Sequence, residues 1–137
     1  MNKILVDTNI LVYAIDEDSK FYSKSQILLF DSNHDLYTTS KNLSEFLAVV
    51  TREPIAALPI NDALTLVEDF YDILKVLYPD ELSFSIFKEL LNRYKPTGLK
   101  IHDFEIASIG MANGIYQIAT FNVKDFENID EINLIKI

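Results

Sequence analysis

Short β-branched runs alternate with helix-length amphipathic stretches along this chain, and that alternation leaves few folds open. Ile4-Leu5-Val6 is apolar and β-branched at its ends, a strand suited to burial. Leu36–Thr39 reads as a second strand, and Ile118–Thr120 and Asn133–Ile137 as the last two. Ile73–Tyr78 reads either as a third strand ended by Pro79 or as a continued helix. Between these, Asn9–Ile15, Ser23–Phe30, Asn42–Arg52, a segment carrying Leu64, Leu66, Val67 and Phe70, Ser83–Tyr94 and Asp103–Asn113 place apolar residues at helical spacing. Pro54 and Pro59 bracket a turn, Asn61 or Asp62 is the expected cap of the helix that follows, and Gly114 stands just past the helix ending at Asn113. Strands separated by helices imply an α/β fold, with a parallel sheet covered by helices on both faces. In such sheets ligands sit beyond the carboxyl ends of the strands.

The chain has 137 residues, 49% of them hydrophobic, which suits one folded domain over 1–137 and excludes a disordered chain. No apolar run reaches the roughly 20 residues that span a membrane. Asp7 and Asn9 interrupt the first apolar stretch, so no signal-peptide pattern is expected. Cysteine is absent, which removes disulfide and thiolate chemistry and fits a cytoplasmic location. The net charge of −9 opposes passive binding of nucleic acid through a broad basic face. It leaves open an enzyme whose acids hold divalent cations, because a bound ion inverts the local sign.

Acids and amides recur where strands end. Asp7 directly follows the first strand and reads equally as a helix cap or as a functional acid. Glu45 lies about one turn into the helix after the second strand, among Leu43, Phe46 and Leu47. Asp103 stands at the head of the helix carrying Phe104, Ile106 and Ala107, where capping is the plain alternative. His102 beside it reads as a local hydrogen-bonder, since the chain's 2 histidines make no metal pattern. Thr120, Asn122 and Asp125 follow the Ile118 strand, in what is otherwise a polar loop. Carboxylates gathered at one sheet edge repel, and divalent cations are the usual compensation. Oxygen donors with few histidines and no cysteine favour Mg²⁺ or Mn²⁺ over zinc.

Val6-Asp7-Thr8-Asn9, Ser44-Glu45-Phe46, His102-Asp103-Phe104-Glu105-Ile106-Ala107 and Thr120–Phe126 together resemble the four motifs of PIN-domain ribonucleases. Their order and spacing look most like the VapC-type toxins of prokaryotic toxin–antitoxin pairs, over essentially the whole chain. The resemblance implies a PIN-like three-layer α/β/α fold around a five-stranded, mainly parallel sheet. It implies metal-dependent cleavage of RNA, commonly transfer or ribosomal RNA, a cognate antitoxin protein and a homodimer. Carried over residue by residue, its acidic site falls on Asp7, Glu45 and Asp103 as metal ligands. Asp125 is favoured as the acid of the last motif, through water, with Asn122 as a neutral contact where some relatives carry an acid. Thr8, Asn9 and Thr120 would order the site by hydrogen bonds.

The expected reaction is hydrolysis of an RNA phosphodiester by metal-activated water, with Glu45 as third ligand or water-orienting base. Lys41, Arg52, Lys95, Lys100 and Lys124 are candidates for touching phosphates. A PIN-like module that binds RNA or protein with weak or no catalysis is the alternative. An aspartyl-nucleophile phosphatase also places an aspartate after its first strand, but it wants an acid where Asn9 stands. A receiver-like domain would use Asp80 as phosphoacceptor. Aromatic residues of the 60–94 helices are expected mostly in the core, with some available to a dimer or antitoxin surface.

Overall fold

A computed structural model describes residues 2–52 and 57–137. Pro54 lies outside the described residues, so the expected Pro54–Pro59 turn is not addressed by the structure. The strands are β1 Asn2–Val6, β2 His34–Thr39, β3 Lys75–Leu77, β4 Gln117–Ala119 and β5 Asn133–Ile135. The helices are α1 Thr8–Ala14, α2 Tyr22–Leu29, α3 Ser40–Val50, α4 Ile60–Ile73, α5 Glu81–Tyr94 and α6 Lys100–Ala112, and a 3₁₀ turn spans Val123–Asp125.

The strands form one sheet in the order β3-β2-β1-β4-β5, and every pairing is parallel. The mainly parallel expectation is therefore met by a wholly parallel sheet. Side chains of β1 alternate between the faces, as a strand's period of two requires. Ile4 and Val6 join the core formed with residues of α1–α4, whereas Leu5 packs with Leu90 of α5 and with Phe104, Ile106 and Ala107 of α6. From Ile4 to Val6 both faces of β1 are dry, which is why that part of its sequence is a continuous apolar run. No helix among the described residues is long and apolar enough to cross a membrane.

Strand order reverses at β1: β2 and β3 run out on one side, β4 and β5 on the other. The ends of β1 and β4 are adjacent, since Val6 pairs with Ala119 and Asp7 N–H donates to the Ala119 carbonyl at 3.0 Å. This is the topological switch point, where the diverging connections leave a crevice.

Several boundaries differ from the sequence reading. Lys75–Leu77 is the third strand and α4 stops at Ile73, so Ile73–Tyr78 divides between the two readings. Neither Asn61 nor Asp62 caps α4; Pro59 precedes it without a side-chain bond, and both residues lie inside the first turn. Helix α6 begins at Lys100, so Asp103 sits in its first turn and is not its cap. Gly114 does follow α6, with φ +73°, a backbone state that suits glycine. Asp80 caps α5 by accepting from Ser83 N–H at 2.8 Å, a structural role for the residue the receiver reading needed.

Candidate active site

Asp7 stands at the switch point, where it caps α1 and also lines a groove. Its Oδ1 accepts from Thr8 N–H at 2.9 Å, capping α1, and from Asn42 Nδ2 at 3.2 Å. Its Oδ2 accepts from Asn9 Nδ2 at 3.2 Å and from Thr120 Oγ1 at 2.7 Å. Thr120 Oγ1 in turn accepts from Asn9 Nδ2 and Asn122 N–H, each at 3.0 Å, and Asn9 Oδ1 accepts from Phe121 N–H at 3.1 Å. Thr8, Asn9 and Thr120 thus tie the ends of β1 and β4 around one carboxylate.

Asn42 completes this network; the sequence reading used it only as the start of a helix, which in fact begins at Ser40. It is fully buried in the first turn of α3, where it forms a reciprocal capping box with Thr39. Its Nδ2 also donates to Thr8 Oγ1 at 2.9 Å, while its Oδ1 accepts from Thr39 Oγ1 at 2.7 Å. One amide therefore fixes the start of α3 against Asp7. The legible signal was Thr39-x-x-Asn42 at a strand-to-helix junction. Replacing Asn42 with Ala removes these bonds inside a dry site and leaves Thr39 and Thr8 short of partners. The expected cost is about 2–3 kcal/mol, measured by chemical denaturation.

The other acids converge on Asp7. Asp7, Glu45, Asp103 and Asp125 line one part of a groove together with Asn9, Tyr13, Arg52 and Asn122. Glu45, Asp103 and Asp125 also line its continuation, with Lys41, Ser44, Lys100 and His102. The acids arise from the end of β1, from α3, from α6 and from the 3₁₀ turn. Asp125 stands with the other three; Asn122 lines the Asp7 end and uses its backbone N–H on Thr120.

Crowding shows in the acidities. Burial pushes the Asp7 carboxyl above its ordinary value, with the charge of Asp125 adding to it, against hydrogen bonds from Thr120, Thr8 and Asn42 that favour ionisation. Glu45 is exposed at the surface, yet loss of hydration in the groove and repulsion by Asp7 raise it, while His102 and Lys41 oppose the shift. Asp103 is pushed up to about 7 by burial and then by the charges of Asp125 and Asp7, with Lys100 opposing. His102 has an exposed ring and no side-chain hydrogen bond among the described residues, unlike the local bonder expected of it. Lys41, Arg52 and Lys100 line the groove, whereas Lys95 and Lys124 do not. Lys41 also pairs with Glu105 at 3.2 Å.

Among the described residues, no three acids or histidines are placed so as to hold one ion by themselves. The donor chemistry nevertheless fits a hard divalent cation: several carboxylates, mutually repelled, and no sulfur. Mg²⁺ keeps several waters and takes one or two carboxylates plus substrate phosphates, so an open arrangement suits it better than a closed cage would.

Fold and groove together define a wholly parallel α/β protein with an acid-lined crevice at its switch point. The chain belongs to the PIN-domain family, whose model matches residues 4–132. No curated protein matches it by sequence. Among solved structures, the chain is similar to VapBC2 from Rickettsia felis bound to a promoter DNA fragment, with 23% identity and a TM-score of 0.72 over 97% of each chain. It is similar to DNA-bound VapBC from Salmonella typhimurium, with 24% identity and a TM-score of 0.70 over 98% of each. VapC20 of Mycobacterium tuberculosis, a toxin that cleaves the sarcin–ricin loop, shares 12% identity at a TM-score of 0.67, over 90% of this chain and 93% of that one.

Proposed function

We propose that this chain is a Mg²⁺- or Mn²⁺-dependent endoribonuclease, the toxin of a toxin–antitoxin pair acting in the cytoplasm on transfer or ribosomal RNA. The observation that carries this reading is the gathering of Asp7, Glu45, Asp103 and Asp125, from four separate parts of the chain, along one groove at the switch point. Burial first, and repulsion among these acids second, raises the carboxyls of Asp7, Glu45 and Asp103, and shifts of this kind cluster at functional sites.

Asp7, Asp103 and Glu45 would hold the cation together with waters and a substrate phosphate, with Asp125 joining through water. When bound, the ion supplies charge neutralisation at the phosphate and a more acidic water. The protein's part is positional. Four hydrogen bonds fix the Asp7 carboxylate so that its orientation costs nothing at the moment of reaction. Glu45, with its raised pKa, is suited to orient the attacking water and accept its proton. Arg52 at one end of the groove, and Lys41 and Lys100 at the other, offer positive charge to phosphates on either side of the cut. The phosphatase reading loses its footing because the Asn9 amide is engaged by Asp7, Thr120 and Phe121 and supplies no acid.

A toxin needs restraint, and this surface offers a place for it. Of the aromatics of 60–94, Phe70 is buried and Phe87 and Tyr94 pack partly buried against the core, while Tyr71, Tyr78 and Phe84 are exposed beside the also exposed Leu82, so the share at the surface is larger than expected. These exposed side chains suit contact with a second copy or with an antitoxin, the partner that the VapBC structures among the similar ones point to. Cleavage is tested by incubating the full chain with transfer and ribosomal RNA in Mg²⁺, Mn²⁺ or EDTA and mapping new ends. Discrete ends with either metal and none in EDTA are expected. Intact RNA in every condition overturns the reading.

A further inference from the structure

Of the four acids along the groove, Asp125 has the weakest scaffold. Asp7 is held by four hydrogen bonds, and Glu45 and Asp103 ride on helices of 11 and 13 residues. Asp125 ends a 3₁₀ turn of 3 residues that has no side-chain cap and no buried residue of its own. Behind it Phe126 is buried and anchors the turn to the core. In front, among the described residues, a single side chain bonds the backbone of 123–125: Lys100 Nζ donates to the Lys124 carbonyl at 2.5 Å.

We propose that Lys100 is a positioning residue, its ammonium clamping the 3₁₀ turn so that Asp125 stays at the groove beside Asp103. Lys100 opens α6 and Asp103 lies three residues on, so both project from one turn of one face. The helix that carries one acid thereby sets the position of another acid 22 residues later in the chain, by a bond between the ammonium and the peptide next to it. A hydrogen bond from an ionised donor is the stronger kind, and a lysine's flexible stem lets it reach a carbonyl without distorting the helix. The ammonium does not pair directly with any carboxylate among the described residues, so its bond to the turn does not compete with an ion pair. This inference rests on the nuclease reading for its purpose, though not for the clamp itself.

The test compares Lys100→Met, which removes charge and donors, with Lys100→Arg, which keeps both. Amide hydrogen exchange on the full chain without metal reads the clamp. The Asp125, Phe126 and Glu127 amides, which donate to the Asn122 and Val123 carbonyls, should exchange about tenfold faster in Lys100→Met and near the original rate in Lys100→Arg. A lysine that merely stabilised the fold would alter α6 and β4 equally, so the acceleration must be confined to the turn. Mn²⁺ titration calorimetry reads the consequence: affinity should fall roughly three- to tenfold in the Met variant and recover in the Arg variant. Unchanged exchange at 125–127 in Lys100→Met overturns the proposal. An original chain that binds no Mn²⁺ defeats the nuclease reading instead, and the exchange rates then decide the clamp alone.

Discussion

Asp7→Asn is expected to abolish metal-dependent RNA cleavage, lowering the rate by more than about 100-fold, while the fold survives. Losing a group that merely supports a metal ligand costs roughly 10–100-fold, and Asp7 is assigned as a ligand itself. The stability effects oppose one another. The new amide can present only one oxygen, so its NH₂ would face Asn9 Nδ2, a group that only donates, and that clash costs about 1–3 kcal/mol. Against this, the substitution removes a buried charge whose pKa the site already raises. The net change in thermal midpoint is therefore small. Single-turnover cleavage beside a melting curve separates lost chemistry from lost folding. Cleavage at the original rate in Asp7→Asn would remove Asp7 from the chemistry, and with it the role given to the switch point.

The acids could be found in the sequence because of where they stand. Asp7, Asp103 and the Thr120–Asp125 stretch each follow a strand or open a helix, and a parallel α/β chain brings such positions to one edge. The sheet was legible for the same reason: short apolar runs separated by helices admit little besides parallel pairing. What stayed hidden depends on contacts between distant segments. Asn42 looks like any amide near a helix start, and its value comes from Thr8 and Asp7 lying 34 and 35 residues away. The Lys100 bond to the Lys124 carbonyl leaves no pattern, because a carbonyl acceptor has no sequence. Helix α6 starts earlier than expected because Leu99, which precedes it, caps it with no side-chain bond, so the usual polar marker is missing. Which aromatics of 60–94 would be exposed was not legible, because hydrophobicity alone does not say whether a side chain meets a core or another molecule; Tyr71, Tyr78 and Phe84 are the exposed ones.

Without metal, the protein should lose stability as pH rises from about 5 to 8, and Asp103→Asn should remove much of that loss. The sign follows from proton binding. An unfolded aspartate titrates near the ordinary 3.8, whereas folded Asp103 is pushed up to about 7. Between those values the folded state holds a proton that the unfolded state has released, so the slope of stability against pH is negative. The contribution is complete below the unfolded value and is lost as pH passes the folded one. Asp7 and Glu45 are shifted in the same direction and add to the slope. The Asp103 shift alone would correspond to roughly 4 kcal/mol; the site opens to water on one side, which reduces this to roughly 1–2 kcal/mol. That amounts to a fall in melting temperature of about 3–10 °C across the window. Asp103→Asn takes one charge out of the repelling set, so it should melt higher than the original protein at pH 8 and close to it at pH 5. Mg²⁺ or Mn²⁺ should act in the opposite sense, because a cation binds the ionised carboxylates and must displace protons at low pH. The stabilisation by metal should therefore be large at pH 8, small at pH 5.5 and much reduced in Asp103→Asn. Melting curves at three pH values, with and without metal, check every part of this. A metal-free protein whose stability rises steadily from pH 5 to 8 would mean that these carboxylates are already neutralised by partners in the protein, leaving no electrostatic demand for a cation.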